Sequence, residues 1–195
     1  MIRLLVFLGN PGREYEKTRH NAAWLVAENL PFYATLSWQE KWKGRYAVFP
    51  GGHTGEKPLG RCTLLLPQTY MNLSGNCVRA CMDFLKIETE ELLVVHDEIE
   101  LPFGTISFKQ GGGSAGHNGL RSIQKNLPSA GFWRLRLGID RPARGDVNSY
   151  VLGRFSREEE IFLDTYLKKA AAILLECAVC PEAGSAGYGK LAIGD

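Results

Sequence analysis

The chain has 195 residues, 45% of them hydrophobic and 23% charged, with a net charge of +2 and a pI near 8.3. That length and composition suit one domain, taken here as residues 1–195, which buries roughly two-thirds or more of its unfolded surface and needs no disulfide or metal staple. The charge is too small to signal nucleic-acid binding by itself, and no stretch approaches the roughly 18 apolar residues of a membrane span.

In chain order, Arg3 and five apolar residues precede a Gly9-Asn10-Pro11-Gly12 turn. A secretory core needs about 7–15 apolar residues, so this segment reads as a strand, Arg3–Leu8, and the expected location is the cytoplasm. A helical pattern follows at Asn21–Leu30, then a strand at Arg45–Phe49. A glycine-rich turn at Gly51–Gly60 leads to a strand at Arg61–Leu66 and a helix at Ser74–Leu85. Strands are expected at Leu92–His96, Thr105–Lys109 and Trp133–Ile139, with a helix at Asn118–Leu127 between the last two. A long helix, Arg157–Cys180, opens on Ser156-x-x-Glu159, a capping box. The tail beyond Pro181 is rich in Gly and Ala and reads as loosely ordered. Strands interleaved with helices predict an α/β fold: a single domain with a twisted mixed β-sheet flanked by helices.

Cysteines stand at 62, 77, 81, 177 and 180. An odd count without a secretory leader favours free thiols. Cys77, Cys81, Cys177 and Cys180 could together hold zinc, but both pairs lie in apolar helical patterns where Cys acts as a small hydrophobe.

Three loops carry unusual chemistry: GNPGREYEKTRHN after the first strand, HDEIELP after the fourth and GGGSAGHNG after the fifth. In an α/β sheet such loops gather beyond the strand ends and can converge on one crevice. Gly111, Gly113 and Gly116 match a dinucleotide fingerprint, with Asp140 at the end of the next strand. The unit comes late in the chain, and Arg134 and Arg136 crowd the expected ribose site. Gly112-Gly113-Ser114-Ala115-Gly116 matches a nucleophile elbow, but no histidine lies beyond His117 to complete that fold's triad order. A third reading has the glycines open backbone N–H groups to an anion or polarised carbonyl, with Asn118 adding an amide or simply capping its helix.

Strand alternation sets Arg134 and Arg136 on one face, and Thr105, Ser107 and Lys109 on one face of their own strand. Such faces suit phosphate, or else are merely solvated. His20 is a suitable general base near neutral pH, and Asp97 at a strand end could orient its ring. His96-Asp97-Glu98 lacks metal-helix spacing, so the expected hydrolysis is metal-free.

Taken together, GNPGREYEKTRHN, PQTYMNLSG, VVHDEIELPFG, FKQGGGSAGHNGL and RLRLGI resemble the bacterial-type peptidyl-tRNA hydrolase family from residue 3 to about 155. The resemblance implies a cytoplasmic monomer that cleaves the ester joining a peptide to the tRNA 3′ end, without cofactor or metal. It implies His20, Asp97 and Asn10 as catalytic residues. Tyr15, Met71, Asn72, Asn118 and His117 would bind substrate. Lys109 and Arg136 would clamp a tRNA phosphate at the acceptor stem. The segment Gly145–Leu152 would be a lid. The chain departs from the family in lacking a basic last helix, in a longer Gly51–Gly60 turn, and in a one-residue shortening after Ala22 that could shift the first helix. A non-hydrolytic RNA-binding relative would require a disrupted His20, Asp97 or Asn10. A nucleotide-dependent oxidoreductase would require the glycine loop to hold a dinucleotide.

Overall fold

The computed structural model describes residues 1–53, 58–142 and 144–187. Its strands are β1 (Leu4–Phe7), β2 (Gln39–Lys41), β3 (Gly44–Phe49), β4 (Gly52–His53), β5 (Pro58–Leu59), β6 (Cys62–Pro67), β7 (Leu92–Glu98), β8 (Ile106–Gln110) and β9 (Trp133–Gly138). Its α-helices are α1 (Ala22–Glu28), α2 (Ser74–Leu85), α3 (Asn118–Asn126), α4 (Val147–Val151), α5 (Arg157–Val179) and α6 (Pro181–Gly187). Seven strands form one mixed sheet in the order β2-β3-β6-β1-β7-β9-β8. The four inner strands run parallel, and antiparallel strands close both edges.

β1 is apolar at every position, and β7 is apolar from Leu92 to Val95, because helices cover both faces of the sheet there. Leu5 and Phe7 join Leu93 and Val95 under α1 and α5, while Leu4, Val6 and Leu8 join Leu92 and Val94 under α2 and α3. Parallel β1 and β7 therefore end side by side, and the loops after them emerge together. That placement brings the Asn10–His20 loop against Asp97.

The expected strands and the four long helices are present, with ends moved by a few residues. The first helix starts at Ala22, after a 3₁₀ turn at Arg19–Asn21, and stops at Glu28. The capping box at Ser156 and Glu159 forms as read. Five of these strands and α-helices escaped the sequence reading. β2 is polar and exposed throughout, and its hairpin turn puts Trp42 and Lys43, not Gly, at positive φ. β4 and β5 form a short hairpin within the Gly51–Gly60 turn, whose residues 54–57 lie outside the described ones. α4 occupies the segment expected as a lid loop, capped by Asp146. α6 begins where a loose tail was expected: Gly184 sits against Cys177 and Phe108. Residues 188–195 of that tail lie outside the described residues.

The topology also decides two alternatives. β8 runs antiparallel to β9, so the glycine loop between them is not part of a parallel β-α-β unit and the dinucleotide fingerprint fails. Cys77 and Cys81 belong to the core on one sheet face and Cys177 to the core on the other, so no four-thiol zinc site can form. The cysteines are free, and burial pushes the thiols of Cys62, Cys77, Cys81 and Cys177 up to about 12.

Candidate active site

The loop after β1 is fixed by amides. Asn21 is fully buried; its Oδ1 accepts the Asn10 backbone N–H at 2.9 Å and its Nδ2 donates to the Asn10 carbonyl at 3.0 Å. Asn10 Oδ1 in turn accepts the Met71 N–H at 2.8 Å. Because a backbone N–H can only donate, this bond assigns the oxygen of the Asn10 amide and leaves its Nδ2 as the available donor. Asn21 was missed in the sequence, although it adjoins His20 in the Arg-His-Asn stretch.

Arg19 ties the same loop to the far end of the chain. Its N–H donates to Gly153 O at 2.9 Å, and its guanidinium donates to the Arg154 carbonyl and pairs with Glu159. The guanidinium also stacks 4.2 Å from the Tyr150 ring on α4. His20 is thus held between β1 and the α4–α5 junction.

Asp97 lies one residue before the end of β7, a strand that runs two residues further than expected. Its carboxylate receives two histidines. His20 Nδ1 stands 2.9 and 3.0 Å from the two oxygens, and His117 Nε2 stands 3.0 Å from one of them. His117 Nδ1 accepts the N–H groups of Gly119 and Leu120 at 3.1 and 3.3 Å. That ring nitrogen must be unprotonated, so Nε2 carries the proton donated to Asp97. The cap of α3 is therefore His117, and Asn118 is released from the capping role that the sequence left open to it.

The electrostatics follow from burial. Burial alone would raise Asp97, but its electrostatic interactions and hydrogen bonds with His20 and His117 hold its carboxyl far below the usual range. Burial pulls His20 down, yet the Asp97 charge and hydrogen bond outweigh it and raise the imidazole above its usual value. His96 is fully enclosed, donates Nδ1–H to the Asp97 carbonyl at 2.7 Å, and is pushed well below the usual histidine value by burial and by His117. It stays neutral and pins the backbone of Asp97.

A cleft of about 250 Å³ opens over this group, lined by His20, Asp97, His117, Asn118, Arg141 and Asn148 among others. Val147 and Val151 make α4 one of its walls. Met71 packs under Gly119, where an added Cβ would lie 2.6 Å from the Met71 sulfur and 2.9 Å from Leu8 Cδ1, so a larger residue there would push those side chains aside. Asn72 follows Met71 on an exposed 3₁₀ turn. Tyr15 is half-buried in the turn before His20, its carbonyl accepting from Thr18. Ala115 and Gly116 line the cleft, whereas Ser114 is a turn residue whose carbonyl accepts the His117 N–H. That position does not suit a nucleophile.

The predicted phosphate pair lies on the β8–β9 edge and does not line this cleft, although Arg136 is hydrogen-bonded to its lining residue Glu98. Arg136 Nε donates to Glu98 at 3.0 Å and its Nη1 reaches Ser107 at 3.4 Å. Burial, then Arg136 and Arg134, lower Lys109. Arg134 faces neither solvent nor phosphate: it is buried, brought down to about 10 by burial and Arg136, and donates to the carbonyls of Gly112 and Gly113 at 2.5 and 2.7 Å. It braces the glycine loop that presents His117 and Asn118.

His20, Asp97 and His117 are also the described group whose donor atoms, all within 4.8 Å, could hold a metal ion. The proton on His117 Nε2 already uses that nitrogen as a donor to Asp97, so the arrangement accounts for itself as a hydrogen-bonded relay.

This geometry agrees with what the chain is similar to. The sequence model of a family described as peptidyl-tRNA hydrolase matches residues 4–185. The peptidyl-tRNA hydrolase of Treponema pallidum is 53% identical over 156 residues, 79% of this chain and 76% of its own. That of Listeria welshimeri is 38% identical over 181 residues, 92% of this chain and 95% of its own. The crystal structure of peptidyl-tRNA hydrolase from Acinetobacter baumannii superposes with a TM-score of 0.81 at 34% identity, covering 96% of each chain. The chain belongs to the peptidyl-tRNA hydrolase family.

Proposed function

We propose that the protein hydrolyses the ester between the peptide and the tRNA 3′ end of peptidyl-tRNA, recycling tRNA from stalled or prematurely released translation products. The observation that carries this reading is the His20–Asp97 pair at the cleft wall, with Nδ1 engaged at 2.9 Å and Nε2 left to act as a base. His20 Nε2 takes a proton from a water as its oxygen attacks the ester carbonyl. Asp97 holds the ring in the required tautomer and stabilises the imidazolium. The amide of Asn118, supported by Asn10 Nδ2, supplies donors for the developing oxyanion. The imidazolium then protonates the departing 3′ oxygen, which restores the base.

Asn72 and Asn118 read the first peptide amide. A free aminoacyl ester has an ammonium there instead and leaves those groups unmatched. Met71 and His117 shape the floor beneath the ester, and Tyr15 borders the tRNA end. Lys109 and Arg136 hold a phosphate of the acceptor stem and confine activity to RNA-linked esters. The chain acts as one monomeric, cytoplasmic unit without cofactor; no helix among the described residues is long and apolar enough to cross a membrane. A non-hydrolytic RNA-binding role has no support in a site that keeps His20, Asp97 and Asn10 in mutual register.

The test is release of the N-acetylated amino acid from N-acetyl-aminoacyl-tRNA, run beside free aminoacyl-tRNA. Wild-type protein should cleave the first and spare the second. Full activity in His20→Ala would overturn the mechanism.

A further inference from the structure

The carboxylates inside the cleft already have partners. Asp97 holds His20 and His117, and Glu98 holds Arg136. The cation that lines the cleft is Arg141. It pairs with Glu100, but both side chains are about half exposed, at 53% and 50%, so the pair is readily exchanged for another anion.

The backbone before Arg141 is shaped to aim it. Asp140 leaves β9 at φ +65, a left-handed conformation that costs a non-glycine residue free energy. It is held there because its N–H donates to Leu101 O at 2.9 Å and its carboxylate accepts the Arg141 N–H at 2.8 Å. The preceding Ile139 N–H donates to Glu98 O at 3.1 Å, which anchors the turn to the strand that carries Asp97. The strained turn thus sets Arg141 at the cleft that His20 also lines.

Resting on the peptidyl-tRNA reading above, we infer that Arg141 binds the phosphodiester of the terminal nucleotide, the group one ribose away from the scissile ester. The leaving group carries the ester on its ribose and a phosphate on the 5′ oxygen of that same ribose. A guanidinium matches two phosphate oxygens and is not deprotonated near neutral pH. Arg141 therefore acts locally, at the 3′ end, while Lys109 and Arg136 act at the β8–β9 edge. In this role Glu100 holds the guanidinium extended until the phosphate displaces it.

The experiment compares three esters of the same N-acetyl-amino acid: on adenosine, on adenosine 5′-monophosphate and on tRNA. Arg141→Gln should lose about tenfold or more in kcat/KM on the monophosphate and tRNA esters, the worth of a charge-assisted hydrogen bond. It should match wild type on the adenosine ester. Arg141→Lys should recover part of the loss, and thermal melts of both variants should match wild type. An equal loss on the adenosine ester, or no loss on the monophosphate ester, overturns the role of Arg141. A wild type inert towards the tRNA ester overturns the hydrolase reading itself.

Discussion

Two charged regions stand on neighbouring strands of one sheet and are built in opposite ways. At the end of β7, the buried carboxylate of Asp97 is matched by two histidines whose tautomers its neighbours dictate. At the β8–β9 edge, Arg136 holds the carboxylate of Glu98, Lys109 feels that charge from nearby, and Arg134 donates to backbone carbonyls. The first region is electrostatically complete and rigid, as proton transfer requires. The second has cations in excess; burial and the neighbouring cations lower Lys109 and Arg134, a field that an incoming anion would relieve. On the proposed roles, chemistry and recognition are separated by whether the fold supplies the counter-charge.

The contrast breaks most severely if the complete region is not the catalytic one. His20→Ala should lower kcat by a factor of ~10²–10⁴ with little change in KM, the range expected for a general base. Single-turnover hydrolysis measures it.

Asp97→Asn should lose nearly as much, and should also move the pH profile. The working form of His20 is neutral, so activity rises with pH along a limb centred above 6.5. Without the Asp97 charge, burial alone remains and lowers the imidazole, so the limb should move to lower pH. An unmoved limb would show that the profile reports another group. For His20 the stability linkage has the opposite sense in pH. The raised His20 contributes fully below its unfolded value and its contribution is lost as pH rises through the elevated folded value. Asp97, held low, contributes above the usual carboxylate range and loses that contribution as pH falls.

The incomplete region should respond differently. Lys109→Ala or Arg136→Ala should raise KM for the tRNA ester about tenfold and leave kcat near wild type, as expected of a phosphate contact. The dependence of kcat/KM on salt should weaken at the same time. A fall in kcat with unchanged KM would erase the distinction between the two regions.

The smallest effect is on stability alone. Ser156→Ala removes the cap of α5 and should cost about 1 kcal/mol in urea unfolding, with activity unchanged at low temperature. A marked loss of activity there would mean that the α4–α5 junction reaches further into the cleft than its contacts with Arg19.

Much of the fold was legible because it rests on local pattern. The apolar runs of β1 and β7, and the capping box of α5, announce themselves within a few residues. β2 did not, because an edge strand that buries nothing carries no hydrophobic period. α4 is a single short turn of helix held by tertiary contacts, which no window of sequence can weigh. For the site, the sequence offered His20, Asp97, Asn10 and the two flanking amides as types of residue in ordered motifs. What it withheld was allocation. Nothing in Gly-His-Asn-Gly says that His117, not Asn118, caps α3, because the choice depends on where Asp97 stands in space. Arg134 and Arg136 alternate identically along β9, and only the position of the glycine loop makes one a brace and leaves the other by Glu98.

The grip of Arg19 on Arg154 and Glu159 spans 135 and 140 residues of chain. The turn that carries His20 is made near the amino terminus, yet its anchors are supplied by the last third of the polypeptide. A nascent chain stopped short of α4 holds every proposed catalytic side chain and still lacks the clasp on the His20 turn. On the proposed mechanism, competence therefore waits until the carboxy-terminal segment from α4 into α5 has docked.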